Sequence, residues 1–190
     1  VVAGPDQVDR ELCQALAAEQ LVVKVVSPDI LHKTEAGGVI VGVKSADEAA
    51  GAYDQIVANA GKYKADAKIV GVQVQQMIKG GQEVIVGAMT DGSFGKLVAF
   101  GMGGVLVEVL KDVTFRLAPA TRGDAASMLD GIQAAEMLRG VRGGKPVRRE
   151  ALQDLIVNVS QLVTDFPEIS EMDLNPVFAS ESGAIAADVR

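Results

Sequence analysis

Between Ile69 and Phe100 apolar and polar residues alternate in steps of two, and glycine interrupts the pattern at Lys79-Gly80-Gly81 and at Asp91-Gly92. A period of two puts alternate side chains on opposite faces, so this stretch cannot be a helix; with glycine turns between the runs it predicts an antiparallel meander over Ile69–Gln76, Gln82–Met89 and Lys96–Phe100. Upstream, Leu21–Val26 reads as a short valine-rich strand, Ser27–Gly38 as a loop and Val39–Val43 as a second strand. Ser45 followed three residues on by Glu48 is a capping-box signature. It opens a helix to about Gly61 with Ala49, Ala52, Tyr53 and Ile56 on one face. Downstream, the turn Gly101-Met102-Gly103-Gly104 leads into Val105–Leu110 and Asp112–Pro119. Helices follow at about Thr121–Ile132 and Arg148–Phe166, the second stopped by Pro167, and two short strands close the chain at Glu171–Leu174 and Ala184–Val189. Mostly antiparallel strands segregated from the helices predict an α+β fold rather than a doubly wound parallel sheet.

The residue inventory removes whole classes of chemistry. Cys13 is the only cysteine and His32 the only histidine, so an internal disulfide, a zinc finger and a two-histidine catalytic site are excluded, and a metal would have to be held by oxygen. Lys plus Arg number 18 against 25 Asp plus Glu, a net charge of −7 that argues against nucleic acid and anionic membrane as partners. The longest apolar stretches, Leu21–Val26 and Ile69–Val74, are interrupted by Lys24, Gly71 and Gln73, and fall far short of the ~18–20 residues of a membrane span. With no apolar leader after Val1, the chain is expected to lack a signal peptide, to be cytoplasmic and, since it does not begin with Met, to be either processed or a piece of something longer. No strand followed by G-x-G-x-x-G and no Walker A sequence occurs, which argues against Rossmann and P-loop sites.

Several residues could carry chemistry. Lys24, set in an apolar strand, needs an anion or an exposed edge; a phosphate and an ion pair with a nearby Glu both satisfy it. His32 lies in a loop beside Lys33, and a neutral imidazole is a competent nucleophile toward phosphorus, although a lone loop histidine is more often a plain surface residue. Gly37 and Gly38 would let backbone N–H groups approach a phosphate. Asp173-Leu174-Asn175-Pro176 at the end of a strand puts two oxygen-bearing side chains on one face, with Asp188 on the partner strand; these suit Mg²⁺, while an Asx turn before proline also explains them. Glu83 after Gly80-Gly81-Gln82, and Glu108 in an apolar run, are less specific candidates.

The order of these blocks is more specific than any one of them. Val22–Lys33 (VVKVVSPDILHK), Gly37-Gly38-Val39, Gly101–Gly104, Glu108–Asp112, Phe115-Arg116-Leu117-Ala118-Pro119 and Asp173–Pro176 together resemble the ATP-grasp domain of NDP-forming acyl-CoA synthetases. These are the ADP-forming acetyl-CoA synthetase beta subunits, distant relatives of the succinyl-CoA synthetase beta subunit, and the resemblance runs from about Leu21 to Arg190. It implies an ATP-grasp fold of two lobes, about residues 20–75 and 76–190, which hold a nucleotide between them. By position it implies Lys24 on the nucleotide phosphates, Gly37 and Gly38 covering them, the base near Gln75, Gln76 and Met77, and Mg²⁺ on Asn175 and Asp188. Glu83 is a further nucleotide-binding candidate, and Arg116, Glu108 and Asp173 are candidates for holding an anion or for support. His32 falls where the family carries a second phosphohistidine, which passes a phosphoryl group from the CoA-binding subunit to ADP as acyl-CoA, ADP and phosphate become acid, CoA and ATP. Only about twenty residues precede Lys24, so the first lobe is expected to be incomplete. No CoA-binding domain is visible, so a CoA-binding subunit or fused domain, a small carboxylic acid substrate and an oligomeric assembly are expected. A regulatory nucleotide-binding module of a protein lysine acetyltransferase fusion, and a ligase acting through an acyl phosphate without a histidine, are the competing readings.

Overall fold

The structure, a computed structural model, describes residues 1–7, 20–104, 112–141 and 144–190. Two compact units divide the chain, Val1–Met77 and Ile78–Arg190. Among the described residues no helix is long and apolar enough to cross a membrane.

In the first unit, strands β1 (Leu21–Val26), β2 (Val39–Val43) and β3 (Gly71–Gln76) form an antiparallel sheet in the order β2-β1-β3. Along β1 the residues Leu21, Val23 and Val25 are buried, whereas Val22, Lys24 and Val26 are half-buried. The buried set packs on helix α1 (Ala46–Tyr63) through Ala49, Ala52, Ile56 and Ala60, whose mostly small side chains let helix and sheet come close. Ser45 caps this helix, its Oγ accepting from the Glu48 N–H at 3.1 Å, and Glu48 Oε2 accepts in return from the Lys44 N–H at 2.8 Å.

The second unit is a five-stranded antiparallel sheet in the order β6-β5-β4-β7-β8. Its strands are β4 (Gln82–Asp91), β5 (Gly95–Met102), β6 (Val113–Leu117), β7 (Glu171–Ser180) and β8 (Gly183–Ala186). Among the described residues its helices are α2 (Arg122–Gly131), α3 (Ala135–Leu138) and α4 (Arg149–Asp165). Val84, Val86, Val98, Phe100 and Met102 meet Met128, Leu129, Leu152, Ile156 and Val159 in its core. Two buried polar side chains are hydrogen-bonded: Asp112 accepts from the Gln133 and Ala134 N–H groups at 2.6 and 2.9 Å, and Ser160 Oγ from the Ala120 N–H at 2.6 Å.

The α+β class is as expected, and three details differ. The three-run meander does not form: β4 and β5 make the hairpin, but β3 pairs with β1 along its whole length in the other unit. Alternation identifies a strand and its faces, not its partner. The strand expected to stop at Leu174 continues through Asn175 and Pro176 to Ser180. Proline is tolerated there because the β4–β7 register shifts between Val84 and Val86, opposite the Asn175-Pro176 pair, where no ladder N–H is required. The four-residue helix α3 was too short to show a period. The strand expected over Val105–Leu110, with Glu108, and Cys13 lie outside the described residues.

Two outcomes are expected. Phe100→Ala removes a fully buried ring and should lower the unfolding free energy by about 3–5 kcal/mol in urea titration. Asp124 closes the α2 capping box with Thr121, whose hydroxyl and backbone N–H hold its carboxyl below the ordinary aspartate range. A depressed carboxyl stabilises the fold above its unfolded value and loses that contribution as pH falls through the folded one. Asp124→Ala should therefore lower the urea midpoint at neutral pH and leave it unchanged below the aspartate range.

Candidate functional site

The loop Ser27–Gly38 is built as a pedestal. Ile30 and Ala36 are buried on either side of an exposed tip, Leu31 to Glu35, in which only Lys33 is half-buried. The Asp29 carboxylate accepts from the Lys68 N–H at 2.6 Å, with Lys64 Nζ at 4.0 Å, and Asn59 Nδ2 donates to the Gly37 carbonyl at 3.0 Å. Within the turn the N–H groups of Ala36, Gly37 and Gly38 donate to the carbonyls of His32, Thr34 and Lys33 at 3.2, 3.0 and 2.7 Å. Gly37 has φ +60, and a Cβ on Gly38 would lie 2.5 Å from Val25 Cγ1. Both glycines are thus required by the turn itself. Their N–H groups, anticipated as phosphate donors, already have partners, so a phosphate could claim them only by opening two backbone bonds. His32 stands at the tip with its side chain 63% exposed and Nδ1 4.0 Å from Glu35 Oε1.

Beside this loop the first sheet presents the face that α1 does not cover. Cross-strand pairing puts Lys24 opposite Gln73 on β3 and Val39 on β2, and Val22 opposite Gln75 and Val41. Paired residues share a face, so Lys24, Gln73 and Gln75 stand together on it. Gln76 pairs with Leu21 and so belongs to the opposite face at the strand end, while the Met77 N–H donates to the Gln20 carbonyl at 2.9 Å. Of the three neighbouring candidates, then, only Gln75 joins Lys24. Gln73 was missed, because finding it required the β1–β3 register.

In the second unit Asp173, Asn175 and Asp188 come together as expected. The Asn175 N–H donates to the Asp188 carbonyl at 3.2 Å, and Asp173 exchanges two backbone bonds with Arg190 at 3.0 and 2.9 Å. Burial pushes the Asp173 carboxyl above the ordinary aspartate range; Arg190 and a hydrogen bond from the Asn175 side chain pull it down, and Glu171 and Asp188 push it up. Crowded, partly dehydrated carboxylates are what a hard cation relieves. Among the described residues no three His, Cys, Asp or Glu side chains form a metal cage. Two carboxylates and an amide oxygen nevertheless fit Mg²⁺, which habitually shares its shell with phosphates and water.

The remaining candidates are elsewhere. Glu83 pairs with Phe178 while Asp173 pairs with Gly87, about 13 Å along β4 at roughly 3.3 Å per residue. Glu83 instead lies against the glycine turn, its Oε2 3.1 Å from where a Gly104 Cβ would be. Arg116 is turned to the helical face, donating to Ser127 Oγ at 2.8 Å and to the Phe115 carbonyl at 2.7 Å. It ties β6 to α2 and does not join the acidic group. Glu108 is outside the described residues.

Comparison with known proteins gives a consistent set of likenesses. The family described as ATP-grasp domain matches residues 7–190. The beta subunit of acetate–CoA ligase (ADP-forming) I of Pyrococcus furiosus is 51% identical over 170 residues, covering 90% of this chain and 73% of that one. Acetate–CoA ligase (ADP-forming) I of Archaeoglobus fulgidus is 49% identical over 170 residues, again 90% of this chain but only 25% of the relative. Among solved structures, the dinucleotide forming acetyl-coenzyme A synthetase 1 of Ca. Korarchaeum cryptofilum, in complex with coenzyme A, Ca-AMPCP and HgCl+, superposes with a TM-score of 0.95 at 36% identity, over 100% of this chain and 82% of that one. A second structure of that enzyme holds coenzyme A and Mg-AMPPCP, with its phosphohistidine segment pointing towards the nucleotide binding site; the TM-score is 0.82 at 36% identity, over 97% and 80% of the two chains.

The pedestal makes its own prediction. Gly38→Ala, with a methyl 2.5 Å from Val25 and 3.0 Å from the Lys33 carbonyl, should cost about 1–3 kcal/mol of stability and raise amide exchange across residues 33–38.

Proposed function

The chain belongs to the ATP-grasp domain family, in its branch of ADP-forming acyl-CoA ligases, and on that premise we propose that it moves a phosphoryl group between His32 and a bound adenine nucleotide. The observation that carries this reading is the sole imidazole of the chain, held out at the tip of a loop whose every shoulder is tied down. A relay residue needs that combination of reach and fixed aim. In this reading Val1–Met77 and Ile78–Arg190 are the two ATP-grasp lobes.

Lys24, flanked by Gln73 and Gln75, holds the nucleotide phosphates by charge-assisted hydrogen bonds. Gly37 and Gly38 close over them only after the Thr34 and Lys33 carbonyls are released, and Gln76, Met77 and Glu83 are secondary contacts. Asn175 and Asp188 hold Mg²⁺, with Asp173 in support; when bound, the cation supplies neutralisation of the charge on the transferring phosphoryl group. Imidazole attack on phosphorus and its reversal differ little in free energy, so His32 can load and unload in either direction.

The whole reaction, acyl-CoA plus ADP and phosphate giving acid, CoA and ATP, needs a CoA-binding subunit or fused domain and takes a small carboxylic acid. We place such an assembly, an oligomer of both parts, in the cytoplasm. The relatives named above are ligases by name, and none of them favours the regulatory acetyltransferase-fusion reading.

Incubation with γ-labelled ATP and Mg²⁺ tests the reading. Acid-labile, base-stable label is expected on the protein, lost in His32→Ala while nucleotide affinity stays within about twofold. Nucleotide binding without label would favour a regulatory or acyl-phosphate role, and loss of binding in His32→Ala would remove His32 from the relay. Lys24→Ala should weaken nucleotide binding about 10–100-fold, the worth of a hydrogen bond to a charged group. Asn175→Ala and Asp188→Ala should raise the Mg²⁺ needed for labelling.

A further inference from the structure

We propose that Glu35 is a positioning residue for His32, keeping the ring proton on Nδ1 and so presenting Nε2 as the phosphoryl acceptor. The inference rests on the phosphohistidine reading above and adds to it which nitrogen reacts and what selects it. Glu35 Oε1 lies 4.0 Å from His32 Nδ1, across one turn of the pedestal. The Ala36 N–H bond to the His32 carbonyl, 3.2 Å long, fixes the separation of the two residues along the chain. Buried Ala36 holds the Glu35 side of the turn and buried Ile30 the His32 side. Both side chains are largely exposed, at 63% and 69%, so a small rotation of either converts the ion-pair spacing into an Nδ1–H···O hydrogen bond without disturbing the core.

The chemistry follows from the two nitrogens of one ring. A neutral imidazole carries its proton on one nitrogen and its lone pair on the other, and the partner of the first decides which is nucleophilic. With Nδ1–H directed to the Glu35 carboxylate, the Nε2 lone pair attacks the γ-phosphorus of a nucleoside triphosphate. The Nε2–P bond forms as the bond from γ-phosphorus to the bridging oxygen breaks, and the diphosphate leaves with that oxygen and its electron pair. The proton remains on Nδ1, so the phosphorylated ring carries one positive charge, which the Glu35 carboxylate faces. Return of the phosphoryl group to the diphosphate reverses each bond. No proton has to leave the ring at either stage.

Because His32 is the only histidine, the ring nitrogens of the uniformly ¹⁵N-labelled chain report on one residue without ambiguity. In the neutral ring the wild type is expected to show a predominant Nδ1–H tautomer, Glu35→Ala the tautomer balance of free histidine, and Glu35→Asp a partial return. With ATP and Mg²⁺, ³¹P spectra should place the phosphoryl group on Nε2, and Glu35→Ala should slow labelling on the order of tenfold with nucleotide affinity unchanged, the usual loss when the outer partner of an oriented imidazole is removed. An identical tautomer balance in wild type and Glu35→Ala, or phosphorylation on Nδ1, would overturn the proposal. Absence of label from the wild type would instead overturn the phosphohistidine reading, and the tautomer measurement, made without nucleotide, tells the two failures apart. Backbone amide spectra of the variants establish that each remains folded.

Discussion

Each sheet buries only one of its faces, and the arrangement of functional groups follows from that constraint. An antiparallel sheet covered on one side sorts its residues by parity: Val23, Val25, Val72 and Val74 go to the helix, and Lys24, Gln73 and Gln75 to the other face. The same sorting in the second unit sends Val84, Val86, Val98 and Phe100 to the core and leaves Asp173 on the uncovered side, opposite Gly87. A buried unpaired ammonium on β1 would be costly, and one-sided burial is what lets a lysine occupy the middle of a valine strand.

The tie between sheet and loop is equally physical. Gly38 is pressed against Val25, and its carbonyl accepts from the Val25 N–H at 2.7 Å, so the end of the loop is continuous with the strand that bears Lys24. The loop is therefore not a free flap around its glycines. Its tip is mounted on the sheet through Ile30, Ala36 and the Asn59 clasp, so the backbone that carries His32 is held by the packing of the first unit. In the acidic group of the second unit burial raises the Asp173 carboxyl above the ordinary aspartate range, and the Arg190 guanidinium offsets part of that shift.

Much of this was legible in the residues. The strands β1, β2 and β5, the capped helix α1 and the long helix α4 follow from period and cap signals that are local in sequence, and Asp173, Asn175 and Asp188 were readable as one group because they lie close in the chain, although β8 ends at Ala186 and Asp188 follows it outside the strand. Arg116 illustrates the opposite case. Its motif marks it as notable, but which side of β6 it takes depends on the pairing with Val98, and that pairing turns it to Ser127 on α2.

By itself the sequence determined the class of the fold, the sole imidazole and sole thiol, the oxygen-only metal chemistry, and the family to which the ordered motifs belong, because all of these are properties of residue identity and short-range spacing. Tertiary structure alone decided that β3 leaves the expected meander to pair with β1, that Gln73 rather than Gln76 shares a face with Lys24, and that the Gly37 and Gly38 N–H groups are already engaged. Those are consequences of register and of contacts between residues distant along the chain, and a period of two leaves both undetermined.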